Sequence, residues 1–201
     1  MEERRRCSGG LNSSTSRRVY IFSGLLTIGD ELRYTHIMKT LAGYLYVIVL
    51  SLWIGGMSLF TFILTPVIFR SYPRDTAGEF VGRLFPSYFL FTLAVSVAAF
   101  ILFVLSFQDR DPLRYRISLV LISLAVIIAL YVNFRLHPEV RRVKQEVHSF
   151  EADGVDNPAR IRFQSLHAQS AVLNLLMIAD GLVLLILKMG YSTVIARNGQ
   201  Q

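Results

Sequence analysis

Cysteine occurs once in this 201-residue chain, at Cys7, inside a polar N-terminal stretch. A single thiol excludes an intrachain disulfide framework and a cysteine-cluster metal site, and it leaves the redox compartment open. Charge is also scarce: 17% of residues are charged against 53% hydrophobic, and the mean hydropathy is +0.46. The sequence lacks a phosphate-binding Walker loop, a G-x-G-x-x-G turn, an H-E-x-x-H helix and a G-x-S-x-G elbow, so no soluble-enzyme chemistry is indicated. The formal charge of +7 invites a nucleic-acid reading. The basic residues, however, fall in every connection, as membrane anchors do, and no basic stripe interleaved with aromatics exists, so nucleic acid is excluded as a partner.

Long apolar runs are what the chain does have. Four stretches, about 41–69, 86–107, 113–136 and 166–189, each meet the requirement of about 20 mostly apolar helical residues for crossing a hydrocarbon core of roughly 30 Å. They take up too much of the chain to hide in one soluble core. The expected fold is all-α: an integral membrane four-helix bundle, multi-pass, with the lipid bilayer as its first partner. One transmembrane domain spans 38–190, between a polar, basic extension over 1–37 and a short tail over 191–201. Residues 1–18 read as disordered. The apolar run 19–29 reads as a surface segment: Ser16, Arg17 and Arg18 before it resemble a twin-arginine export signal, but Asp30, Glu31 and Arg33 follow where a cleavage site would stand.

The connections carry helix punctuation. Thr76 and Glu79 have capping-box spacing, which predicts a short helix ending before Pro86; Pro86 then opens the second span. Residues 108–112 form a link short enough to make spans two and three antiparallel neighbours. His137-Pro138 predicts the end of span three. Val140, Val143, Val147 and Phe150 then recur at helical spacing among charges, the pattern of a short amphipathic helix in the third connection, on which His148 is solvated. Asn157-Pro158 predicts an N-cap and first helical position, and Gly190 a C′ residue. A helix over 158–189 would be roughly 48 Å long and would project beyond the bilayer beside the amphipathic helix. With four spans both termini share one side. That side holds twelve Lys/Arg against nine opposite, which predicts cytoplasmic termini in a plasma (inner) membrane, but without 1–37 the count becomes six against nine and the vote reverses.

Polar groups inside the spans mark the candidate sites. Trp53, Gly55, Gly56 and Pro66 in span one read as helix-packing and kink positions. Asn133 and His137 lie four apart on one face of span three; His167, Ser170 and Asn174 share one face of span four. The two histidines should sit at matched depth, with the two asparagines one to two turns deeper and Arg70 on the same side. The result is a polar pocket at one mouth of the bundle. Interhelical hydrogen bonding and ligand binding both remain open for it. Asp180 is an intramembrane acid about 120° around the helix from Asn174, expected to find a partner such as Arg114 or Arg116, or to serve a proton or cation path.

Trp53-Ile54-Gly55-Gly56, Pro66-Val67-Ile68-Phe69, Ala77-Gly78 and Gly82-x-x-Phe85-Pro86, followed by Phe163-x-x-Leu166-His167-x-x-Ser170-x-x-x-Asn174 and Gly181-Leu182, together resemble the transmembrane protein 205-like family, whose core is a four-helix membrane domain of unknown function. The tryptophan and glycine opening is more loosely similar to bacterial copper-resistance membrane proteins. The resemblance implies the four-helix fold and leaves the activity open, although some animal relatives are associated with tolerance to platinum compounds. Three readings follow. One is a non-enzymatic membrane protein, alone or as a homo-oligomer, handling a small solute or metal ion through the pocket. The second is a membrane redox module holding haem or a metal ion at His137 and His167. The third is an interaction scaffold.

Overall fold

In the computed structural model, residues 13–106, 111–146 and 157–198 are described, with side chains described for 31, 33–106, 111–146 and 157–190. All are helical apart from the helix ends and links, with no strand among them. Helix α1 (Ser13–Ser58) passes through a π-helical turn (Leu59–Leu64) into α2 (Thr65–Ser71). Helix α3 covers Arg74–Leu105. Helix α4 (Pro112–Tyr131) passes through a second π-helical turn (Val132–Leu136) into α5 (His137–Glu146), and α6 covers Pro158–Asn198. Four continuous rods result, each long and apolar enough to cross a membrane: Arg33–Ser71, Arg74–Leu105, Pro112–Glu146 and Pro158–Gly190.

The rods form a closed ring in which α1 packs on α3, α3 on α4, α4 on α6 and α6 on α1, while α5 lies against α6. The buried positions explain the packing. They are Tyr46, Leu50, Trp53 and Met57 on α1; Thr92, Ser96, Ala99 and Phe103 on α3; and Ser118, Ile122, Ala125 and Ala129 on α4. Each set alternates steps of four and three residues, the seam spacing of helices that cross at a shallow left-handed angle. Small residues on α3 and α4 let those backbones approach. The outer surface is apolar instead: Val120 is 65% and Ile186 67% exposed, as lipid-facing positions should be.

Within span one, Gly56 is a close-approach site. A Cβ placed there would lie 2.6 Å from the Phe91 ring of α3, whereas one on Gly55 would meet nothing within 4 Å. Gly181 on α6 is buried, 3.1 Å from an Ile54 side-chain atom by the same construction, and next to Trp53.

Several local expectations are corrected. Pro138 does not end span three. The chain turns through one π-helical turn, in which His137 N–H bonds the Val132 carbonyl five residues back, and continues as α5. The first rod solves the same problem in the same way: Thr65 N–H reaches Phe60 O immediately before Pro66. The wider turn re-registers the ladder just where proline lacks a donor and its ring would crowd a carbonyl. Pro86 lies inside α3 rather than at its start, so the expected short helix and span two are one rod. Its N-cap is Pro73, with no side-chain capping bond, so Thr76 and Glu79 make no capping box. Gly190 does not stop α6, which runs on to Asn198. Ser13–Ser58 is a single helix, so residues 13–18 are helical rather than disordered, because extending an existing helix avoids the cost of a new nucleus. Residues 1–12 with Cys7, and Val147, His148 and Phe150, lie outside the described residues.

One cap stands as the sequence indicates: Asn157 Oδ1 accepts the Ala159 N–H at 2.9 Å. The structure adds a second, in which Asp111 Oδ1 accepts Leu113 N–H at 3.0 Å at the start of α4.

Candidate functional site

The end of the bundle where α2 stops and α3 and α6 begin holds a cavity of about 610 Å³. Its exposed wall is mostly apolar, with Phe69, Val81, Phe85, Val140 and Phe163 among the lining side chains. Five cations also line it, Arg74, Arg83, Arg141, Lys144 and Arg160, against one acid, Glu79, which pairs with Arg83 at 2.6 Å. The first turns of α3 and α6 contribute Arg74 and Arg160, so two helix N-termini add partial positive charge to the same end.

Lys144 is the most constrained of these cations. It leaves α5, crosses to α3 and donates to the Gly78 carbonyl at 2.6 Å. Gly78 and Gly82 make room for it: a Cβ on Gly82 would sit 2.8 Å from Nζ. Pro86 has no N–H to give to the Gly82 carbonyl, so the backbone beside the ammonium is locally rich in acceptors. An ammonium carries three donors, and its bond to Gly78 uses one.

His137 and His167 both line this cavity. The His137 ring packs on Phe89 with centroids 4.9 Å apart, and its Nε2 is buried with no hydrogen-bond partner among the described residues. His167 is exposed toward the cavity and stacks on Phe163, one turn before it, at 5.9 Å.

The other sequence candidates lie elsewhere. Asn133 and Asn174 are absent from the lining and bridge helices instead. Asn133 Nδ2 donates to Phe89 O at 2.9 Å and to Ala129 O at 2.8 Å, joining the second π-turn to α3. Asn174 Nδ2 donates to Thr61 Oγ1 at 2.7 Å, and its Oδ1 accepts a short bond from Tyr88 Oη, so α6, the first π-turn and α3 meet in one network. Ser170 is half-buried and Arg70 exposed, and neither lines the cavity.

Above that network, Phe60 stacks on Tyr88 at 4.0 Å and Phe85 on Phe89 at 5.3 Å. Phe85, which lines the cavity, thus belongs to an aromatic layer with Phe60, Tyr88 and Phe89, held beside the asparagine hydrogen bonds. Sequence reasoning missed Tyr88, Lys144 and Arg160. The available signal was Gly78-x-x-x-Gly82, a small-residue pair on one helix face that announces a close neighbour without naming it.

Asp180 stands apart, toward the other end of α6. Both carboxylate oxygens are buried without a hydrogen-bond partner among the described residues, and so is Trp53 Nε1. The expected pairing with Arg114 is not made: Arg114 pairs with Asp111 at 3.3 Å. No group of three or more His, Cys, Asp or Glu suited to a metal ion occurs among the described residues.

Fold and surface together define a multi-pass membrane protein, a four-helix bundle with a cavity at one mouth. The family model of a domain of unknown function, DUF4149, matches residues 48–149, which is 102 of the 201 residues, and the chain belongs to that family. No curated protein and no solved structure matches it.

Proposed function

We propose that this is a non-enzymatic membrane protein whose mouth cavity binds a small solute. The single observation behind the reading is the cavity itself: about 610 Å³ lined by an apolar floor and several convergent polar groups, a size and composition typical of small-molecule sites. The deep asparagines that bond helix to helix stand apart from its wall, where Lys144 makes a structural bond of its own to Gly78. The resemblance to the transmembrane protein 205-like family, with its link to platinum tolerance, agrees with a solute-handling role in a plasma (inner) membrane. A homo-oligomer is the natural form if the solute crosses the bilayer, because four spans without an internal repeat are few for a solo transporter.

Mass spectrometry of molecules that co-purify with the full chain in mild detergent tests this. Wild type should retain a small molecule, and Gln164→Trp, which fills the cavity from an exposed position on α6, should not. Equal retention would contradict the proposal.

A second reading has one observation in its favour. His137 Nε2, which has no hydrogen-bond partner among the described residues, and His167 line the same cavity, and both would serve as ligands to haem or a metal ion. The surrounding cations oppose a bare metal cation. A Soret band in the purified protein, lost in His137→Ala, would support this reading; a colourless, metal-free protein would remove it.

A further inference from the structure

We infer that a second copy of this chain pairs with α1, along the face that runs from Tyr34 to Ile48. The inference gives the homo-oligomer a surface, and it does not depend on the cavity, which lies at the opposite mouth.

Depth comes first. The α4 rod carries no charge between Arg116 and Arg135, a run that rises roughly 28 Å and so matches a hydrocarbon core of about 30 Å. Arg114 and Arg116 therefore mark one edge of that core. At this edge Arg114, Ser106 and Lys188 line one small cavity with Tyr46 of α1. Gly43 stands nearly one turn farther out, where a Cβ would lie 3.9 Å from the Ser106 side chain at the end of α3. Ala42 is buried, and the described side chains of α1 before it are all exposed. Ile37 lies roughly 9 Å and Tyr34 roughly 13 Å beyond Gly43 along the helix, past a headgroup layer of about 5–8 Å. Helix α1 is unbroken from Ser13 to Ser58, so this stretch does not turn to lie on the membrane.

Apolar surface is thereby left in water. Tyr34, Ile37, Leu41, Tyr44 and Ile48 are each at least 50% exposed, and Met38 flanks them. They recur in alternating steps of three and four residues, while His36 and Lys39 fall on the opposite face. Spacing alone decides nothing, because α4 exposes Ile117, Val120, Leu124 and Ile127 in the same rhythm. That face, however, lies wholly between Arg116 and Arg135, where lipid tails cover it. The α1 face begins in water and ends in hydrocarbon, so lipid covers only its deeper half.

A partner for such a face must change surroundings at the same depths, as another spanning helix does. A second α1 matches it residue for residue. Copies inserted the same way are parallel, and a twofold axis normal to the membrane sets Ile37 against Ile37 and Leu41 against Leu41. Alternating steps of three and four are the seam of a parallel left-handed pair. Pairing also supplies the packing that a helix projecting alone into water lacks.

Disulfide cross-linking of the full chain, with Cys7→Ser as background and in the membranes of the expressing cells, tests this. Ile37→Cys and Leu41→Cys should each give about fivefold more linked dimer than Lys39→Cys on the opposite face or Val120→Cys on the lipid face of α4. Ile37→Glu, at a position exposed in the single chain and so without effect on its fold, should bring the Leu41→Cys yield down to that of Lys39→Cys. Equal yields at all four cysteine positions would report random collision and overturn the pairing. A yield highest at Val120→Cys would move the interface to α4 and overturn it as well. Linkage of Ile37→Cys to a different polypeptide, with no dimer of this chain, would assign the face to another partner and overturn self-association.

Discussion

The Lys144 ammonium on α5 donates to the Gly78 carbonyl on α3 at 2.6 Å, across the mouth of the bundle and between two glycines of the same helix face. This contact ties the projecting end of the third rod to the start of the second, and it holds one wall of the cavity. Lys144→Met keeps the stem and loses the bond, so it should destabilise the protein by about 1–2 kcal/mol. Gly82→Ala should push the ammonium aside by steric contact alone and give a smaller loss. Thermal unfolding in detergent reads both; an unchanged midpoint for Lys144→Met would show that the latch is not formed.

The Tyr88–Asn174–Thr61 network should be the main polar staple of the core. Tyr88→Phe and Thr61→Val should each cost about 0.5–2 kcal/mol, the range of interhelical hydrogen bonds in membranes, and Asn174→Leu more than either. A double-mutant cycle between positions 61 and 88 should show coupling through Asn174, while strict additivity would break the network model.

Gly55 and Gly56 are neighbours with opposite roles. Gly56→Leu should destabilise strongly, because Phe91 occupies the space its side chain needs, while Gly55→Leu should be nearly neutral, facing open surface. Comparable losses at both positions would contradict the packing of α1 on α3.

Asp180 has no hydrogen-bond partner for either oxygen among the described residues. Replacing it by leucine should stabilise the bundle by about 1 kcal/mol, since a desolvated polar group without a partner is a cost that an apolar side chain of similar size removes. A large loss of stability in Asp180→Leu would reveal a bonded partner. Asp180→Asn should fold normally and, if the acid carries a proton or cation, stop flux in reconstituted vesicles.

Topology follows from four rods in series. Reporter fusions after positions 107 and 189 should lie on one side and a fusion near position 154 on the other; agreement of all three would break the four-span architecture.

Much of this was legible in the hydropathy of the chain. Four apolar runs imply four rods, and helical arithmetic put His137 and His167 at matched depth, where both now line one cavity. The prolines misled. A residue before proline avoids helix in general, but a single π-turn ahead of Pro66 and Pro138 absorbs the mismatch, and nothing in the composition signals it. Polar residues were visible as a set but not as partners. Asn133 and Asn174 have the same chemistry as pocket residues, and only the neighbouring helices decide that they bond Phe89 and Thr61 rather than a ligand. Lys144 is one of the charges that alternate with Val140 and Val143, a pattern that suits the wet face of an amphipathic helix, because spacing reveals which residues share a face and not which helix that face meets.

The most direct test of the cavity as a binding site is thiol labelling of Gln164→Cys in a Cys7→Ser background, reconstituted in vesicles. A water-soluble maleimide should label position 164, and adding back the small molecules extracted from the purified wild-type protein should slow that labelling. A rate unchanged by the extract would contradict a bound solute, and no labelling at all would contradict the open cavity itself.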